Sequence, residues 1–132
     1  GGPDARIGQR LGEAVALMQD RLEEPLSCAD IADRLGLSLR QLERNFSARF
    51  GMTPARYYRM LRLNHAHNLL QQTDMTVTEV AIRTGFTAPE HFTRSYRSQF
   101  GEAPSRDRTQ IPGAPVARRL RDPGPRADGR PS

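Results

Sequence analysis

Apolar residues at Ile7, Leu11, Ala14, Leu17, Met18 and Leu22 keep helical spacing and predict a first amphipathic helix that ends near Glu24-Pro25. Ser27-Cys28-Ala29-Asp30 then places a hydroxyl and an acid three apart before an apolar run, the form of a capping box. That signal predicts a helix of about two turns, to Leu35. Gly36 can adopt a left-handed backbone, and Ser38 can cap a second helix running to about Phe50. Gly51 ends that helix, and Thr53-Pro54 starts a long one in the order that proline favours at a helix start. No breaker intervenes before Thr73. Tyr57, Tyr58, Leu61, Leu69 and Leu70 are expected on its buried side, with Arg56, Arg59 and Arg62 clustered near its beginning.

At Asp74 the pattern restarts, and the restart is an internal repeat. With an offset of 49, Ser27 matches Thr76, Asp30 matches Glu79, Ala32 matches Ala81, Arg34 matches Arg83 and Gly36 matches Gly85. With an offset of 50, Leu42 matches Phe92, Arg44 matches Arg94, Phe46 matches Tyr96, Gly51 matches Gly101 and Pro54 matches Pro104. One residue has therefore been added in or just after the second turn. Agreement at caps, turns and core positions predicts two copies of one supersecondary unit.

The unit has the form of a helix-turn-helix. A small residue lets the first helix approach the second, a glycine permits the turn, and an apolar residue anchors the second helix. Ala32, Gly36 and Leu42 fill those places in the first copy, and Ala81, Gly85 and Phe92 in the second. The fold expected is all-α with about seven helices: a helix-turn-helix subdomain over 6–52, a linker helix over 53–73, and a second subdomain over 74–110. Residues 1–5 read as a disordered start or cloning remnant, and 111–132, with five Pro, three Gly and five Arg, as a disordered tail.

The exposed positions carry the candidate chemistry. Arg40, Glu43 and Arg44 share a face opposite Leu42 and Phe46, with Ser38 at the helix start. Glu90, His91 and Arg94 sit at corresponding places in the second copy, with Thr87 and Thr93 nearby. Arginine can donate two bonds to guanine and glutamate can accept from the cytosine amino group. A surface ion-pair cluster is the alternative for the same residues. The net charge is +5 and all twenty cationic residues are arginine. By segment, 1–24 has three Arg against five acids, 25–110 has twelve against eight, and 111–132 has five against two. The central excess suits an anionic partner, although a solvated surface would read the same way.

Other chemistry finds little support. His65 and His67 lie two apart on a helix and point about 200° away from each other, which suits surface or packing roles rather than a metal. Cys28, the single cysteine, starts a short helix whose dipole could lower its pKa, but it has no resolving partner. No nucleophilic triad, zinc pattern, Gly-rich nucleotide loop or other cofactor signature is present, so an enzyme is not expected. No run approaches the ~18 apolar residues of a membrane span and no signal-peptide core is seen, so the expectation is a soluble, cytoplasmic chain that meets no membrane.

Ile7 to Arg108 resembles the AraC/XylS family DNA-binding domain, above all in "DIADRLGLSLRQLERNFSARFGMTPARYY" and "TVTEVAIRTGFTAPEHFTRSYRSQFGEAP". The resemblance implies a bacterial transcription regulator, an activator in many members, whose helices near 38–50 and 88–100 read two successive major-groove segments of double-stranded promoter DNA. It also implies RNA polymerase as a partner, and a missing N-terminal sensor domain that supplies effector response and dimerisation. "LEEPLSCADIADRLGLSLRQLERNF" and "PSRDR" look most like regulators with an upstream amidotransferase-like (DJ-1/PfpI-type) domain. Many members carry Tyr where Asp107 stands, which predicts different packing of the last helix. The alternative from another class is a helical protein-interaction module that docks on the transcription machinery without reading DNA sequence.

Overall fold

The computed structural model describes residues 3–110, with the side chains of 6–108. Among them are seven helices: α1 (Pro3–Asp20), α2 (Cys28–Arg34), α3 (Leu39–Phe50), α4 (Pro54–Gln72), α5 (Val77–Arg83), α6 (Pro89–Phe100) and α7 (Pro104–Gln110). The all-α expectation holds. α1 begins at Pro3, inside the stretch expected to be a disordered start; the expected tail, 111–132, lies outside the described residues.

Local signals set the helix ends. Ser27 Oγ accepts from Asp30 N–H at 3.0 Å at the start of α2. At α3 the box is reciprocal: Ser38 Oγ accepts from Gln41 N–H at 3.0 Å, and Gln41 Oε1 accepts from Ser38 N–H at 2.9 Å. Thr76 and Glu79 repeat that exchange at α5, at 3.0 and 2.8 Å. The start of α6 differs, because Ala88 offers no side-chain cap and Pro89 supplies the preset first turn instead. The extra residue of the second copy lies here: four residues separate α2 from α3 and five separate α5 from α6.

Both turns close in one way. Gly36 has φ +71°, Gly36 N–H donates to Asp33 O at 3.1 Å and Leu37 N–H donates to Ala32 O at 2.9 Å, the pair of bonds of a Schellman motif. In the second copy Gly85 has φ +82° and Phe86 N–H donates to Ala81 O at 3.0 Å. The alanines that accept these bonds are 1% and 3% exposed, so each turn begins at a position with no room for a larger side chain.

The chain divides into two compact units. The first runs to His65 and takes in Arg83–Gly85; its core joins Leu11, Ala14 and Met18 of α1 with Ile31 and Ala32 of α2, Leu42 and Phe46 of α3 and Tyr58 of α4. Tyr58 also ties down the α1–α2 connection, donating to Arg21 O at 2.5 Å and accepting from Leu26 N–H at 3.1 Å. The second unit comprises 66–82 and the residues from Phe86 on, and it buries Ala66, Leu70, Val80, Ala81, Phe86, Phe92 and Tyr96.

Burial extends the repeat beyond the caps. With an offset of 52, Arg10-Leu11 matches Arg62-Leu63, Ala14 matches Ala66, Leu17-Met18 matches Leu69-Leu70, and the last residue of α1, Asp20, falls on the last of α4, Gln72. Leu11, Ala14 and Met18 are 4%, 0% and 0% exposed; Leu63, Ala66 and Leu70 are 2%, 0% and 0%. α4, expected as a linker, is thus also the first helix of the second copy. Tyr58 and Leu70 are buried on it as expected, while Tyr57, Leu61 and Leu69 are only half-buried. It buries two lines of side chains on different sides of its axis, a pattern that a single apolar stripe does not describe.

The two turn glycines should respond differently to a methyl group. A Cβ on Gly36 would meet only the end of the Arg10 side chain, at 3.6 Å, whereas one on Gly85 would lie 2.6 Å from Pro25 Cδ. Gly36→Ala should cost about 1–2 kcal/mol, for the left-handed backbone alone. Gly85→Ala should cost about 1–3 kcal/mol more, for the overlap with the Pro25 ring. Urea midpoints measure the difference; equal midpoints would count against the packing of this turn.

Candidate nucleic-acid interface

α3 and α6 each bury one side and leave the other open. On α3, Leu42 and Phe46 are fully buried, while Arg40, Glu43 and Arg44 are exposed within a ~100° arc on the opposite side. Among the described residues these three form no ion pair with one another, so the surface-cluster alternative is not what the side chains do. The Ser38 hydroxyl is engaged in capping and exposed at the start of the same helix. Beside it Leu39 is 40% exposed, an apolar group at the entrance to the polar face that the pattern of charges alone does not reveal.

On α6, Phe92 and Tyr96 are fully buried and Glu90, His91 and Arg94 are exposed, with Thr87 exposed just before the helix and Thr93 half-buried. Glu90, Thr93 and Arg94 occupy the places of Arg40, Glu43 and Arg44. His91 matches Gln41 instead; its ring stands edge-on to Phe86 at 5.5 Å, which holds it beside the shared face. Pro89, Glu90, Thr93, Arg94, Arg97 and Ser98 line one shallow groove along the helix. Arg97 and Ser98 extend the candidate face by another turn, and their i+3 and i+4 spacing from Arg94 is the signal that would have found them.

Aromatic packing holds each helix from behind. Phe46, Phe50 and Tyr57 make a triangle with ring centroids 4.7–5.5 Å apart in the first unit. In the second, Phe92, Tyr96 and Phe100 form a run along α6, and His67 stacks on Phe100 at 5.0 Å. The Tyr96 hydroxyl donates to Asp107 Oδ2 at 2.6 Å and lies 2.9 Å from His67 Nδ1, which acts as its N–H donor. Asp107 therefore accepts from the tyrosine of the second unit's core, and His67 is a packing residue. Burial, then the neighbouring Asp107, pushes the Tyr96 phenol far above its ordinary 10.0.

The remaining candidates are structural or inert. Among the described residues no group of three or more His, Cys, Asp or Glu could hold a metal, and no helix is long and apolar enough to cross a membrane. His65 faces Glu23 at 3.4 Å. At Cys28 the lowering that a helix dipole could bring is outweighed: burial and the Glu43 carboxylate raise its pKa against the opposing effect of Arg62. A thiol held protonated is a poor redox sensor.

Comparison with known proteins agrees with this geometry. Residues 31–110 match a family described as a helix-turn-helix domain. The HTH-type transcriptional regulator CdhR of Pseudomonas aeruginosa is 40% identical over 110 residues, 83% of this chain and 33% of its own length. A solved transcriptional regulator with an AraC-type DNA-binding domain, from Chromobacterium violaceum, superposes with a TM-score of 0.76 at 44% identity, covering 80% of this chain and 96% of that one. The DNA-binding domain of AdpA, solved in complex with a target DNA, gives 0.71 at 32% identity, covering 86% and 96%. The chain spans about a third of the length of the curated relatives it matches.

The Tyr96 network predicts an alkaline limit to stability. Above about pH 10 the unfolded phenol loses its proton while the folded one keeps it, so stability present below that pH is lost as pH rises through it. Tyr96→Phe should cost about 1–3 kcal/mol at pH 7 by stranding Asp107 and His67, and should shrink the loss between pH 8 and pH 11. Urea midpoints at the three pH values check both parts.

Proposed function

This chain belongs to the AraC family of helix-turn-helix transcription regulators, and from that premise we propose that it binds double-stranded promoter DNA by sequence. α3 and α6 each enter one of two successive major-groove segments. The observation that carries this reading is the repeated placement of a polar side, without ion pairs among the described residues, on the second helix of both copies, with Arg40, Glu43 and Arg44 exposed in one and Glu90 and Arg94 exposed beside half-buried Thr93 in the other. Arg44 and Arg94 hold the same place in their copies, and a guanidinium there can donate a bidentate pair to guanine. Glu43 and Glu90 can accept from cytosine, and Ser38, Thr87, Thr93 and His91 add donors or acceptors at the edge of each face.

The two faces differ in charge and shape, so a single chain reads an asymmetric site rather than a palindrome. RNA polymerase as a partner at the promoter, and an upstream amidotransferase-like sensor domain that gives effector response and dimerisation, complete the proposal. The length of the curated relatives leaves room for such a domain. A protein-interaction module would use the same faces without sequence preference.

Selection of bound sites from a random duplex pool separates the two readings. An enriched motif supports DNA reading, and uniform recovery supports the interaction module. Arg44→Ala should then weaken binding to the selected site by about 1–3 kcal/mol and relax one base position. Equal loss for selected and random duplexes would make Arg44 a phosphate contact.

A further inference from the structure

We propose that Arg10 and Arg62 are equivalent positioning residues for DNA reading, each holding the backbone of one helix-turn-helix turn from a helix outside the motif; this rests on the DNA-binding reading above. Arg10 Nη1 of α1 donates to Leu35 O, and Arg62 Nη1 of α4 donates to Thr84 O at 3.3 Å and Gly85 O at 3.2 Å. The correspondence is twofold. Arg10 matches Arg62 at the offset that relates α1 to α4, and Leu35-Gly36 matches Thr84-Gly85 at the offset that relates the turns. Two copies that have diverged elsewhere on these helices keep the same donor and share one acceptor, the carbonyl of Leu35 or Thr84, to which the second copy adds Gly85 O.

The chemistry suits arginine at this place. Leu35 and Thr84 follow the last residues of α2 and α5, so their carbonyls are among those a helix leaves without an internal partner. The negative end of each short helix dipole favours a cation there. Both arginines are half-buried. The Arg62 guanidinium also lies 5.7 Å from the centroid of the Tyr58 ring and, at 3.2 Å, against the place a Gly85 Cβ would take. A guanidinium reaches these oxygens from a fixed plane, which an ammonium cannot reproduce.

Base readout depends on the start of α3 and α6 being held in place, because paired hydrogen bonds to base edges tolerate little displacement. Phosphate attraction tolerates far more. Loosening a turn should therefore remove sequence preference while sparing general attraction to DNA.

The test uses Arg10→Lys and Arg62→Lys, which keep the charge and lose the fork. In the protein without DNA, amide exchange at Leu37 should quicken at least about tenfold in Arg10→Lys, with Phe86 unchanged; Arg62→Lys should do the reverse. In selection from the random duplex pool, each variant should lose base preference in one segment of the wild-type motif and keep the other, while affinity for random duplex stays within about twofold. Failure of the wild type to enrich a motif would defeat the DNA reading and leave the exchange result standing on its own. Unchanged exchange at both amides, or an unaltered motif in both variants, would overturn the positioning role. Loss of the fold in a lysine variant, seen by circular dichroism, would make that arginine a folding residue and overturn it equally.

Discussion

The hydrogen bond from the residue after the turn glycine back to a buried alanine, Leu37 to Ala32 and Phe86 to Ala81, is the constraint on which each copy depends. It can form only if the intervening glycine takes a left-handed backbone, and only if the alanine is small enough for the second helix to lie against it. Once it forms, the direction in which α3 or α6 leaves the turn is set. Leu42 and Phe46, or Phe92 and Tyr96, then fall on the buried side, and Arg40, Glu43 and Arg44, or Glu90 and Arg94, one or two positions from the first of each pair, face solvent.

The two copies meet this constraint by different means at their second helices. The first uses the reciprocal bonds of Ser38 and Gln41, and the second uses one more residue and a proline at the first helical position. Their supports differ as well. An aromatic triangle lies behind α3, whereas α6 rests on an aromatic run completed by His67 and Asp107. Divergence of this kind, around an unchanged turn, is what allows one chain to present two unlike faces.

How much of this was legible in the sequence follows from how local each interaction is. Caps at Ser38 and Thr76 and the glycines at 36 and 85 act within a few residues, so spacing alone located them. The faces of α3 and α6 follow from the same spacing, although Leu39 is an apolar residue that a polar pattern does not mark, and Arg97 and Ser98 lie a turn beyond the charged cluster at the helix start. The kinship of α1 and α4 was hidden by the change of offset across connections of unequal length and by unlike exposed residues such as Ala16 and Asn68. Only the burial of Leu11, Ala14 and Met18 beside that of Leu63, Ala66 and Leu70 makes it plain. Asp107 could not be paired with Tyr96 from sequence, because the partners lie eleven residues apart on different helices. The pKa of Cys28 was beyond a local argument for a similar reason: a helix dipole, which could lower it, belongs to its own helix, while burial and Glu43, which raise it, come from elsewhere in the fold.

The central claim is that one chain carries two unlike readers of DNA. Hydroxyl-radical footprinting of this chain on a duplex recovered by selection tests it most directly. Two separate windows of protection from one bound chain, on a site without internal symmetry, are expected. A single window, or a palindromic site that is protected only when two chains bind, would contradict it.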